Sequence, residues 1–241
     1  MPVVSLGLLT GGMANFDLQS FLITLLVLCI SLSFHEMAHA WSANRLGDDT
    51  AAAQGRLSLN PLVHLDPIGS LAFIIGGIGW AKPVPINPAR FSRAKSIKNG
   101  IMLTSLAGPL SNLFLATVSA FLLYLTITFA VLAGGQGQLA DVVSQLLNRM
   151  YFANIILAVF NLLPVPPLDG FKIFGSVLPD AIYYRLMGVE RYIGMVFIVL
   201  ILFGRGLLGT VLSWIAWPFN QVILQPIQFL FSAIWRMLGI S

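Results

Sequence analysis

The run from Phe21 to Phe34, FLITLLVLCISLSF, carries no charge and leads directly into His35-Glu36-Met37-Ala38-His39. This juncture restricts the chain more than any other stretch. A helix from about Leu18 to about Asn44 would cross a bilayer, for which ~20 residues suffice. It would carry two histidines and a glutamate in its last third, where ionisable groups are costly and mark function by default. Residues four apart lie one above the other on a helix, so His35 and His39 can aim two imidazoles at one metal ion, with Glu36 beside them. Two neutral nitrogens and an open water position suit a catalytic zinc site. A neighbouring carboxylate gives a hydrolytic site its base. A third protein ligand has to come from elsewhere in the chain.

Composition fixes the setting. Of 241 residues, 57% are hydrophobic and only 9% charged, against about 25% charged in a soluble domain. The sequence therefore predicts an all-α polytopic membrane protein forming one integral-membrane unit over 1–241. The net charge of +4 does not indicate nucleic acid, because the basic residues are sorted by topology. Arg45, Arg56, Lys82, Arg90, Arg93, Lys95 and Lys98 follow the first helix, and Lys172, Arg185 and Arg191 follow a later apolar segment ending near Leu163. By the positive-inside rule both regions are cytoplasmic and the N-terminus is outside. The stretch before Arg45 holds no Lys or Arg, which argues against a cleaved signal peptide. Cys29, the single cysteine, has no internal disulfide partner and reads as a packing residue.

Along the chain, 47–67 read as a cytoplasmic loop punctuated at Gly47, Asn60-Pro61 and Asp66-Pro67. His64 in this loop reads either as a residue near the metal or as a loop histidine bonded to backbone. Residues 68–81 are apolar but short, which suits a re-entrant or interfacial element, with Gly76-Gly77 as a candidate hairpin turn. Lys82-Pro83-Val84-Pro85-Ile86-Asn87-Pro88 excludes helix and predicts an extended edge. The basic cluster at 89–98 reads as a topology signal or a contact for anionic lipid. A second helix, about Asn99 to Leu132, is expected to break or kink at Gly108-Pro109, and Asn112 within it to hydrogen-bond across helices. A third helix, about Leu139 to Leu163, carries Arg149, which can snorkel or pair with Asp141. Two further spans are expected between 188 and 241, from Gly188 to Phe203 and from about Leu207, the latter kinked or interrupted at Pro218. The count is five spans, with four or six as alternatives.

Asp169 is the candidate third ligand. The first and third helices both run from outside to inside, so the histidine motif and Asp169 fall at similar depth. Asp17 and Asp141 belong to the outer side. Asp48 and Asp49 read as solvated loop charges, and Asp180 and Glu190 have Arg185 and Arg191 at hand. Asp66 is a substitute ligand in a turn context. Asp169 alone sits in a proline-rich, charge-poor break, Pro164-Val165-Pro166-Pro167-Leu168-Asp169-Gly170. Its other reading is a helix cap or Asx turn before Gly170.

His35-Glu36-Met37-Ala38-His39 in a membrane helix, followed by Asn161-Leu162-Leu163-Pro164-Val165-Pro166-Pro167-Leu168-Asp169-Gly170, resembles the site-2 protease family of intramembrane zinc metalloproteases. Gly108-Pro109-Leu110-Ser111-Asn112 is similar to another recurrent element of that family. The resemblance covers roughly 18–175, a three-helix catalytic core, and is closest to short members without PDZ or CBS domains. It implies one zinc per chain held by His35, His39 and Asp169, with Glu36 as catalytic base. It also implies that Asn161, and Asn112 less directly, hold or position substrate, and that the stretch from Ala81 to Pro85 belongs to a membrane-associated β element. Phe171 stands where a second glycine is common in the family.

The expected function is hydrolysis of peptide bonds within or near transmembrane segments of membrane-protein substrates, with the lipid bilayer as the other partner. The expected location is a prokaryotic inner membrane, with the site towards the cytoplasm. A metal-ion or proton transporter is the competing reading, since intramembrane His, Glu and Asp also mark ion paths. It lacks polar residues continuing to the other face. A silent scaffold is the third reading, and it would not need Glu36. Substrate identity, the trigger of cleavage and oligomeric state are not encoded legibly.

Overall fold

The computed structural model describes residues 17–70, 81–135, 137–183 and 205–239, with isolated positions between 185 and 196. Helix α1, Leu18–Arg45, starts where Asp17 caps it by accepting the Gln19 N–H at 3.1 Å. Its 28 residues make a rod of about 42 Å at 1.5 Å per residue. It ends at Leu46 and Gly47, whose φ of +107° only glycine adopts freely.

Past a short helix α2 (Thr50–Ala53) and 3₁₀ turns at Pro61–Val63 and Pro88–Arg90, the chain enters α3, Ile97–Leu132. Ser96 caps α3 by accepting the Asn99 N–H at 3.1 Å. This helix runs unbroken through Pro109, where a break or kink was expected. A proline removes only its own N–H from the ladder, and Gly108 before it lies against α1. Gly134 and Gly135, both at positive φ, turn the chain into α4, Gln138–Asn161. Arg149 does not pair with Asp141. Its guanidinium donates to the Ser20 carbonyl (2.7 Å), Thr24 Oγ1 (2.9 Å) and Ser20 Oγ (2.8 Å), tying α4 to the start of α1.

After the proline-rich break, α5 covers Asp169–Val177. Helix α6, Arg205–Met237, passes through both Pro218 and Pro226, so Pro218 does not interrupt it. Its Leu212, Ala216, Ile227 and Phe231 pack on Ala116 and Ala120 of α3 and on Tyr151, Ile155 and Val159 of α4. Tyr151 Oη donates to Asn220, and Trp235 Nε1 donates to Thr128 Oγ1 at 2.7 Å. Three of the described helices, α1, α3 and α4, are long and apolar enough to cross a membrane. The expected span at 188–203 lies outside the described residues apart from isolated positions.

The expected hairpin at Gly76-Gly77 also lies outside the described residues, and the re-entrant β element is not found among them. Residues 67–70 are helical, and Leu65 and Ala81 form one isolated antiparallel bridge. The stretch from Lys82 is extended as expected. The Lys82 N–H donates to the His64 carbonyl at 2.7 Å, and the buried Arg56 guanidinium donates to the carbonyls of Lys82 and Pro83. Asp48 is not a solvated charge. It is fully buried and accepts the N–H of Asn87 at 2.6 Å and of Thr50 at 3.0 Å. Asp49 is exposed and pairs with Arg90. Asp180 pairs with Lys98 at 2.5 Å.

Candidate active site

Near its C-terminal end, α1 meets the start of α5. His35 and His39 project from α1, and Asp169 opens α5. His35 Nε2 and His39 Nε2 are 3.0 Å apart, and each is 3.2 Å from Asp169 Oδ2. Two glycines make this approach feasible. A Cβ on Gly108 would fall within 2.6 Å of carbons of both imidazoles, and a Cβ on Gly170 within 2.4 Å of the Leu162 and Leu163 backbone. Gly108 therefore lets α3 close over the histidines, and Gly170 lets α5 fold back against the end of α4.

The hydrogen bonds behind the rings set their protonation. His39 Nδ1 lies 2.7 Å from the Thr104 carbonyl, which can only accept. That nitrogen carries the proton, and in the neutral ring Nε2 presents a lone pair. His35 Nδ1 lies 2.6 Å from Asn112 Oδ1 and donates in the same way. Asp169 Oδ2 is buried and has no hydrogen-bond donor.

Two lone pairs and an anionic oxygen thus face one another across about 3 Å, an arrangement that repels unless a cation sits among them. Tetrahedral zinc with bonds of about 2.0–2.1 Å would separate its ligand atoms by roughly 3.3 Å. The donor set and its spacing fit zinc. Among the described residues it is the one group of His, Cys, Asp or Glu side chains close enough to share a metal ion.

Glu36 follows His35 on α1, and its Oε2 accepts the Val84 N–H at 3.2 Å. The extended stretch therefore lies across the carboxylate. Asn112 is buried among helices rather than presented to a groove, and its amide engages His35, Ser31 and Asn154. The cross-helix bond expected of it is present. Asn161, the last residue of α4, donates to the Leu157 carbonyl of its own helix at 3.0 Å. His64 is the loop histidine bonded to backbone, its Nε2 lying 2.7 Å from the Ser58 carbonyl. Asp66 accepts the Gly69 N–H at 2.7 Å, within its own turn.

Sequence reasoning missed Thr104, Gly108 as a packing residue, and Asn154. Thr104 acts through its carbonyl, so its side chain carries no signal. Asn154 is a polar residue in an apolar helix, the same signal that singled out Asn112.

Membrane helices that carry a buried two-histidine, one-carboxylate donor set with a further glutamate have the make-up of a membrane metallohydrolase. Residues 125–204 match Peptidase family M50. The chain is 38% identical over 218 residues to a Bacillus subtilis (strain 168) protein named "Putative zinc metalloprotease YwhC", covering 88% of this chain and 92% of that protein. It is 31% identical over 205 residues to "Putative zinc metalloprotease Rip2" of Mycolicibacterium smegmatis (79% of this chain, 70% of that protein). It is 32% identical over 200 residues to the protein of the same name from Mycobacterium tuberculosis H37Rv, with the same coverage. No solved structure matches. The chain belongs to peptidase family M50, the site-2 protease family. It is a zinc metalloprotease and a multi-pass integral membrane protein.

Proposed function

We propose that this metalloprotease hydrolyses peptide bonds within or near transmembrane segments of membrane-protein substrates, with His35, His39 and Asp169 holding the zinc and Glu36 as catalytic base. The observation that carries the reading is the meeting of two imidazole lone pairs and an unpartnered buried carboxylate oxygen within 3.2 Å, just past the uncharged apolar run of α1.

Zinc, when bound, supplies the Lewis acidity that brings water towards a neutral pKa and polarises the scissile carbonyl. The remaining steps belong to the chain. The Val84 N–H fixes Glu36 Oε2 and leaves Oε1 to take the proton of the attacking water. Glu36 then returns that proton to the leaving amine. Burial of His35, His39 and Asp169 limits bulk water and strengthens these interactions.

A substrate helix buries its carbonyls in its own hydrogen bonds and must unwind before it is cut. The extended stretch supports that step by edge pairing. Its Lys82 and Val84 N–H groups and its Lys82 and Pro83 carbonyls are already engaged. The Val84 carbonyl and the Ile86 N–H have no partner among the described residues and are the groups offered to a peptide. The positive-inside rule supports a cytoplasmic catalytic end, and that topology suits a prokaryotic inner membrane. In support, the basic loop reaches the same end as Asp169, since Lys98 Nζ donates to the Leu178 carbonyl at 2.8 Å just past α5.

The test compares wild type with Glu36→Gln on a detergent-solubilised substrate carrying one transmembrane helix. Wild type should cut it, and Glu36→Gln should bind zinc equally but cut at least ~100-fold more slowly, the scale of a lost general base. Equal cutting by the two would remove Glu36 from the role.

A further inference from the structure

We propose that Asn154 is a positioning residue for the metal centre: acting through Asn112, it fixes which nitrogen of His35 carries the ring proton and so keeps the Nε2 lone pair free for the metal. This rests on the reading of His35, His39 and Asp169 as zinc ligands and goes beyond it. Asn154 Nδ2 donates to the Met150 carbonyl and to Ser31 Oγ, each at 2.8 Å. A carbonyl only accepts, so the Asn154 amide has one allowed orientation, with Oδ1 turned to Asn112. Asn112 Nδ2 then donates to that Oδ1 at 2.7 Å and to the Ser31 carbonyl at 3.3 Å. This turns Asn112 Oδ1 to His35, which donates its Nδ1 proton at 2.6 Å.

The two ends of an amide are nearly isosteric; the Ser31 carbonyl favours this orientation of Asn112 only through a long bond of 3.3 Å, and the Asn154 acceptor at 2.7 Å is the stronger guide. Were Asn112 reversed, its NH₂ would face His35 Nδ1, the ring proton would move to Nε2, and the lone pair needed by the metal would be lost. His39 needs no such relay, because its partner is a backbone carbonyl.

The chain of bonds is sealed, since Asn112 and Asn154 are both fully buried. It also joins three helices, α1 through Ser31 and His35, α3 through Asn112 and α4 through Asn154. Helix packing and ligand tautomer are thereby set by the same four side chains.

The experiment is a double-mutant cycle read as zinc dissociation constants, by chelator competition on the full chain in detergent. Asn154→Leu should weaken zinc binding ~10-fold or more, as loss of a partner behind a metal-bound histidine does. In an Asn112→Asp background the same change should cost less than about threefold, because both carboxylate oxygens accept and no orientation is left to set. Equal losses in the two backgrounds would mean that Asn154 only packs, and would overturn the proposal. Asn154→Asp, nearly isosteric and neutral in so buried a place, keeps a donor to the Met150 carbonyl through its O–H and an acceptor to Asn112; it guards against misfolding and should bind within about threefold of wild type. A loss as large as that of the leucine variant would also overturn it. His35→Ala separates the two claims. If it keeps wild-type affinity, the ligand reading fails. If it loses zinc while every Asn154 variant matches wild type, only the relay fails.

Discussion

Gly108 shows how a residue without a side chain governs a metal site. Alanine would place its Cβ within 2.6 Å of both imidazoles, while raising intrinsic helix preference by about 1 kcal/mol. Gly108→Ala should therefore weaken zinc binding ~10-fold or more while the helical circular dichroism signal stays intact, and a variant with unchanged affinity would contradict the packing account. Thr104 makes the complementary case. Its carbonyl holds His39, but its buried hydroxyl has no partner. Thr104→Val should keep zinc affinity and leave stability unchanged or raise it by up to ~1 kcal/mol, since an unpaired buried hydroxyl is removed, as a thermal melt in detergent would show. His35, Glu36, His39 and Asp169 could be singled out from the chain because their chemistry is in their side chains and polar groups are rare around them. Thr104 and Gly108 could not, because one works through its backbone and the other through the atom it lacks.

At the scale of elements, the apolar runs predicted α1, α3 and α4 to within a few residues, because uncharged length of that kind has few other uses. Of the break or kink expected at each proline, the break does not occur. Pro109 sits inside a continuous α3, and Pro218 inside a continuous α6, since packing against neighbouring helices outweighs one missing backbone bond. Asp48 was misread for the converse reason. A polar loop context hides the fact that the loop folds on itself and buries a carboxylate under two backbone donors. The extended stretch from Lys82 to Asn87 is held at one end by Arg56 and at the other by Asp48, and touches Glu36 between them. Arg56→Ala should loosen it and cost on the order of tenfold in kcat through misplacement of Glu36. Zinc content should not change, and a loss of zinc would show that Arg56 supports the ligands instead.

For the whole molecule, the decisive property is that α1 and the start of α5, just past the proline-rich break, bring the proposed ligands from distant parts of the chain to one end of the helix bundle. The α3–α4 hairpin, the Arg149 tie at the opposite end of α1 and the α6 packing hold that geometry. The order and bounds of the three core helices could be derived from apolar length, whereas the seating of Phe231 and the rest of α6 on Ala120 and Tyr151 depends on side-chain fit that no period in the sequence announces. The most direct test is the zinc content of purified wild type beside His39→Ala and Asp169→Asn, each reloaded with metal and dialysed. The account predicts close to one zinc per chain in wild type and a large loss in both variants, Asp169→Asn included because it keeps the shape and removes the charge. Full zinc in Asp169→Asn and His39→Ala would contradict it and place the metal elsewhere.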